Sequence, residues 1–355
     1  MPFLRIARIA VISFAAALLV FVFTASVQPA SAQKPYHVMA RWKIGGAGRW
    51  DYMNVDAKAH RLYIAHGNAV DVIDTGTGKS LGYISGLHGT HGIALDTAGK
   101  YGYISDGGGD AVVIFDRKSL AKLGTIPAGQ NPDGIVFEPV TQTVWAFNGR
   151  SNNATVISTH AASISAFNSM QTTTISLPGR PEFPVADGNG NVYDNIESTS
   201  QIARFNAATK KITAVWPAGC ESPSGLAIDT HGHRLFAVCG NQKMSVIDYK
   251  TGKVLATPSI GNGPDAARFS EKHKLAFASC GQGVLSVIDA GAPDYPTIEN
   301  LPTQRGARTM AYDPDTDRIY LATAEFGPAP APTAENPHPR PQAVPDSFVI
   351  MVVGR

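Results

Sequence analysis

Three observations predict an all-β chain folded as a seven-bladed β-propeller of four-stranded blades. A landmark strand recurs seven times, a second landmark recurs in step with it, and no long helical periodicity follows the N-terminal segment. The first landmark is a short apolar strand closed by a polar residue: MNVD to Asp56, IALD to Asp96, IVFE to Glu138, PVAD to Asp187, LAID to Asp229, ARFS to Ser270 and MAYD to Asp313, in steps of 40 to 49 residues. The second ends at Asp74, Asp116, Ser158, Asn206, Asp248 and Asp289. Between the two lies a strand with an aromatic near its start (LYIAH, GYISD, VWAFN, VYDNI, LFAVC, LAFASC, IYLAT), and after the second comes a fourth, such as KSLGYISG. Four short strands in a unit of roughly forty residues, parted by Gly, Asp and Asn turns, make one propeller blade.

In chain order, the sequence opens with Arg5 and Arg8, an apolar run from Ile9 to Phe23, and Ala30-Ser31-Ala32. This small-x-small ending predicts a secretory signal peptide over residues 1–32, cut after Ala32. The run is shorter than the ~20 residues of a spanning helix, and no later stretch could cross a bilayer. The mature chain, 33–355, is therefore expected to be a single seven-bladed propeller, periplasmic or secreted, and monomeric. Residues His37 to Gly46 read as an outer strand, because RWKIGG matches strand ends such as LGTIPAG. The seventh unit stops after its third strand, SFVIMVV, so the N-terminal strand is expected to complete it and close the ring, covering two open sheet edges. Blade 3 carries an extra stretch from His160 to Thr173. Blade 7 carries a Pro-rich insertion over 327–345, which reads as a lid or a tether.

Removing residues 1–32 takes away two arginines and no acid, so the formal charge of +2 falls to zero. With Lys and Arg scattered along the chain, composition argues against a nucleic-acid partner. Three cysteines in an exported chain suggest one bridge and one free thiol. Cys220 precedes the first strand of blade 5 and Cys239 ends its second, so a Cys220–Cys239 disulfide is expected, with Cys280 left as a buried thiol. The strand-ending residues Asp74, Asp96, Asp229 and Asp248 precede turn words such as DTAGK and DYKTGK, and read as turn caps. The Gly107 to Gly109 run precedes a strand, not a helix, and lacks the context of a nucleotide loop.

If the first strand of each blade runs along the channel, the residues five places before each strand-one end form a ring at one mouth: Asp51, His91, Asp133, Glu182, Ser224, Asp265 and Arg308. Six of these seven are ionisable in a chain with only 16% charged residues, so the ring stands out. Arg49, His88, Arg180, Arg268 and Arg305 flank it, and the strand-two ends His66, Asp106 and Asn148 are expected on the same face. Such a ring focuses the field and suits a small polar molecule or a protein segment. The alternative is a salt-bridge collar tying neighbouring blades together. A divalent metal ion is the cofactor such a ring could hold, on Asp51, His91, Asp133, Glu182 and Asp265. His91 is then the candidate catalytic base, since imidazole titrates near neutrality.

The strand-two words YIAH, YISD and YLAT, the VID endings and the TGK turns resemble the YVTN-repeat β-propellers, including the YncE-like exported bacterial proteins, over residues 36–355. That resemblance implies the blade and no single chemistry. The architecture is also similar to that of gluconolactonase-like lactonases and streptogramin lyases, which use a metal at the channel mouth. Two functions follow as expectations: an exported ligand- or partner-binding propeller with a polar site at the channel mouth, or a metal-dependent lactonase, hydrolase or lyase acting there. No GxSxG, HExxH or EF-hand pattern occurs, and nothing marks a cradle for a quinone cofactor.

Overall fold

A computed structural model describes residues 34–355 except 47, 160–166, 168–169, 334–338 and 340. The expected signal peptide, most of the extra stretch in blade 3 and the middle of the Pro-rich insertion lie outside the described residues. Twenty-eight described strands form seven four-stranded antiparallel sheets. Their first strands are Trp50–Asp56, Thr90–Leu95, Pro132–Glu138, Pro181–Ala186, Pro223–Asp229, Pro264–Ser270 and Thr309–Asp313, from blade 1 to blade 7. Each touches the first strands of both neighbouring blades, so the inner strands make a closed ring. The seven-bladed architecture read from the repeats is the architecture observed.

The seventh blade is completed as expected. His37–Lys43 pairs antiparallel with Val349–Gly354, with His37 opposite Gly354 and Lys43 opposite Val349. The strand stops three residues short of the expected Gly46, because Gly45 and Gly46 take φ of +76° and +84°, which extended backbone does not allow.

The core is divided among the gaps between blades. A cluster of buried apolar side chains fills each gap, because each sheet presents one face to the blade before it and one to the blade after. Between blades 3 and 4, for example, the rings of Trp145 and Phe147 lie 5.5 and 5.7 Å from that of Phe205. Strand-end acids cap turns on the side away from the predicted mouth: Asp74 accepts from the backbone N–H groups of Gly76 and Thr77 at 3.0 and 2.8 Å, and Asp248 from that of Lys250 at 2.8 Å. The base of the Pro-rich insertion is a short ladder in which Gly327 N–H donates to Gln342 O at 3.0 Å and Val344 N–H to Glu325 O at 2.8 Å. Cys220 and Cys239 are joined by a disulfide, Cα to Cα 6.0 Å, while Cys280 is free and buried.

Candidate ligand site at the channel mouth

A backbone irregularity positions the ring residues. In blade 1 the pairs Trp50–His66 and Met53–Ile64 leave Asp51 and Tyr52 standing against the single residue Ala65. The same extra residue appears on the first strand of blades 2 to 6, beside His91, Asp133, Glu182, Ser224 and Asp265. A β-bulge re-aims the side chain it carries. Four of these strands begin with proline, which lacks the N–H a continuing ladder would use.

Three of the ring residues meet directly. His91 Nδ1 lies 2.7 Å from Asp51 Oδ2 and 3.6 Å from Asp133 Oδ1, joining blades 1, 2 and 3. Arg308 pairs with Asp265 across the gap between blades 7 and 6. Glu182 has a weaker partner, the Tyr52 hydroxyl, which donates to it at 3.3 Å from blade 1. Ser224 turns its hydroxyl to the main-chain carbonyl of Pro264 at 3.2 Å and plays a structural part.

The electrostatics follow from this crowding. Burial works against the His91 imidazolium, but the Asp51 hydrogen bond and the Asp133 charge outweigh it and raise the group to about 9. This favours the protonated form of His91 at neutral pH. Burial pushes Asp133 up to about 7, only partly relieved by His91 and reinforced by Asp51 and Asp265. Glu182 is driven well above the usual carboxyl range by burial, then by Asp133, Glu197, Asp265 and Asp51.

The flanking residues divide. His66 does not join the mouth: its Nδ1 pairs with Asp71 of the third strand at 2.9 Å and its ring lies 4.3 Å from that of Phe348. Asp106 likewise serves His88, at 3.1 Å, and Asn148 serves Asn153 and Thr155 at 2.7 and 3.0 Å. Strand-two ends sit one strand out from the axis: His66 and Asn148 bond outward to strand three, whereas Asp106 holds His88 in the loop before strand one. Arg180 pairs with Glu197 at 2.6 Å, with half its side chain exposed. Arg49 and Arg305 are exposed on loops, and the charge of Arg49 acts on His91. Arg268 is displaced from the expected rim. It lies three residues along the strand from Asp265, inside the channel, with its guanidinium 5.1 Å from the Phe183 ring centroid.

Asp194 is a site residue that reading the ring column overlooks. It is fully buried, and neither carboxyl oxygen has a hydrogen-bond partner. Burial raises it well above the usual range and Asp133 adds to the rise, while the Glu182 backbone N–H favours the charge without reaching hydrogen-bond geometry. A signal was present in the repeat. Aligned strand-two words put Ile64, Ile104, Ala146, Ala237, Ala278 and Leu321 at this position, and only blade 4 places an acid there.

No family model matches the sequence, and no curated protein matches it significantly. Solved structures do match. A chain of Kuenenia stuttgartiensis hydrazine synthase is 16% identical with a TM-score of 0.64, covering 78% of this chain and 92% of its own. U3-55K is 10% identical with a TM-score of 0.70, covering 89% and 98%. The WD40 repeats of RRP9 are 11% identical with a TM-score of 0.70, covering 92% and 98%. At these identities the likeness shows the fold alone: a seven-bladed propeller, an architecture that commonly hosts ligand and partner binding.

Proposed function

We propose that this chain is an exported, monomeric binding propeller of the YVTN-repeat, YncE-like kind, whose channel mouth takes a small ligand carrying positive charge. One observation carries the reading. Inside the mouth two cations, His91 and Arg308, face five carboxyl groups, Asp51, Asp133, Glu182, Asp194 and Asp265. The salt-bridge collar is thus part of the arrangement, but it uses Asp51 and Asp265 and leaves acids over. Burial pushes Asp133, Glu182 and Asp194 toward their neutral forms, with His91 only partly offsetting the rise at Asp133, and an incoming cation would let them ionise.

The test is a thermal shift series at about pH 8 on the mature protein, using putrescine, Ca²⁺, Mg²⁺ and Zn²⁺ against NaCl at matched ionic strength. At least one cation should raise Tm by several degrees, and Asp133→Asn combined with Glu182→Gln should remove the response while leaving a cooperative melt. A response to none of them, or one unchanged in the double variant, would rule the reading out.

A second reading is favoured by the donor set. Ligand atoms of Asp51, His91 and Asp133 lie within 4.8 Å of one another. These three fit a divalent ion, which would supply polarisation of a carbonyl for a hydrolase or lyase. His91, held protonated between two carboxylates, would act there as a proton donor, or surrender its proton to bind the metal. A shift with metal, erased by EDTA and absent with putrescine, selects this reading.

A further inference from the structure

Beyond the mouth the channel changes character. Tyr52 of blade 1 and Phe183 of blade 4 meet edge to face with ring centroids 4.9 Å apart, and Arg268 of blade 6 reaches the same Phe183 ring, so side chains from three blades cross the bore at one level. Below them lies a cavity of about 340 Å³, walled mainly by apolar side chains of the first strands, such as Met53, Ile135 and Leu226. Among its lining residues Asn54 and Phe269, further along the first strands from the acidic ring, are partly exposed.

Arg268 is the charged residue lining this chamber. Its guanidinium donates only to neutral main-chain acceptors, Nη1 to Ala267 O at 2.7 Å and Nη2 to Met53 O at 3.3 Å. Among the described residues no carboxylate forms an ion pair with it. A guanidinium offers five N–H donors in a planar fork, so donors remain for a further acceptor. Burial lowers the group to about 10, with Tyr52 opposing, which still leaves it fully charged at neutral pH. An uncompensated cation among apolar walls lacks the counter-charge that buried ions elsewhere in proteins find.

We propose that the lower half of the channel is a second binding site, for a small organic anion: a monocarboxylate with an apolar body, its carboxylate on the Arg268 fork and its body against the first-strand side chains. Arginine recognises carboxylates in a two-bond geometry, and a mainly apolar chamber with one fixed polar group is the usual make-up of a small-molecule site. The carboxylates of the mouth repel such an anion, so it enters from the opposite end. The site is independent of the cation site above.

Calorimetric titration of the full mature chain with benzoate and butyrate, alongside benzamide and butyramide, tests this. The carboxylates should bind at least about tenfold more tightly than their amides. Arg268→Met should lose benzoate binding by tenfold or more while melting cooperatively. Arg268→Lys, which keeps the charge and loses the fork, should also weaken it, and it carries the test if the methionine variant does not fold. Asp133→Asn, which removes a repelling carboxylate, should bind benzoate at least as tightly as the wild type, which separates this site from the mouth. Equal binding of amides, no binding of either carboxylate at millimolar concentration, or unchanged affinity in the folded Arg268 variants would overturn the proposal.

Discussion

Asp194 and His91 illustrate how much a single side chain depends on its neighbours. A carboxyl group at a position where the other blades carry alanine or larger aliphatics costs stability unless something compensates it. Asp194→Ala, which matches Ala146, Ala237 and Ala278, is therefore expected to stabilise the free protein by on the order of 1 kcal/mol, net of the small void it leaves. Calorimetric melting checks this, and a destabilised variant would mean that Asp194 already has a compensating partner. The same substitution should weaken cation binding, because it removes a carboxyl group that ionisation would recruit. Cys280 needs no such account. Burial raises its thiol to about 11, and it lies in the gap between blades 5 and 6 whereas the Cys220–Cys239 bridge lies in that between blades 4 and 5.

At the scale of elements, two devices place the site: the bulge at the head of the inner strand in blades 1 to 6 and the N-terminal strand that closes blade 7. The bulges bring ring residues to one rim even though they lie about forty residues apart in sequence. The closing strand holds the first and last blades together through His37–Lys43 and Val349–Gly354. Tyr36, just before that strand, ties it to blade 6, its ring edge-on to Phe277 at 5.4 Å. Deleting residues 36–43 should thus lower Tm by about 10 °C or more and broaden the transition, because it bares a strand edge and the seam together. A deletion variant that melts as the full mature chain does would show that the ring closes through its inner strands alone.

For the whole molecule, the acidic mouth couples folding to pH. Asp133, held at about 7 against an ordinary 3.8, binds its proton more tightly folded than unfolded. The stability this confers is complete below about pH 4 and is lost as pH rises through about 7. His91, at about 9 against 6.5, acts in the same direction over the next interval, its contribution complete below about pH 6.5 and lost as pH passes about 9. Tm of the ligand-free protein, taken relative to Asp133→Asn, should fall between about pH 4 and pH 8, and a saturating cation should flatten that fall. A difference that stays constant with pH would mean the mouth acids titrate as they do in the unfolded chain.

Much of this was readable in one dimension. A repeated pattern of alternating apolar residues dictates the same local strands and turns wherever it occurs, so seven copies imply seven blades, and a missing final strand implies that the other end of the chain supplies it. The ring column was legible for the same reason, since a fixed offset in each copy becomes a fixed height on the axis. Pairing was not legible. Whether His66 faces the bore or bonds outward to Asp71, whether Arg268 sits on the rim or inside, and whether His91 is free or clasped by Asp51 and Asp133 all depend on distances between blades. Local sequence sets which residues extend and which turn. Only the closed ring sets which charges meet, and burial within it decides which of them keep their protons.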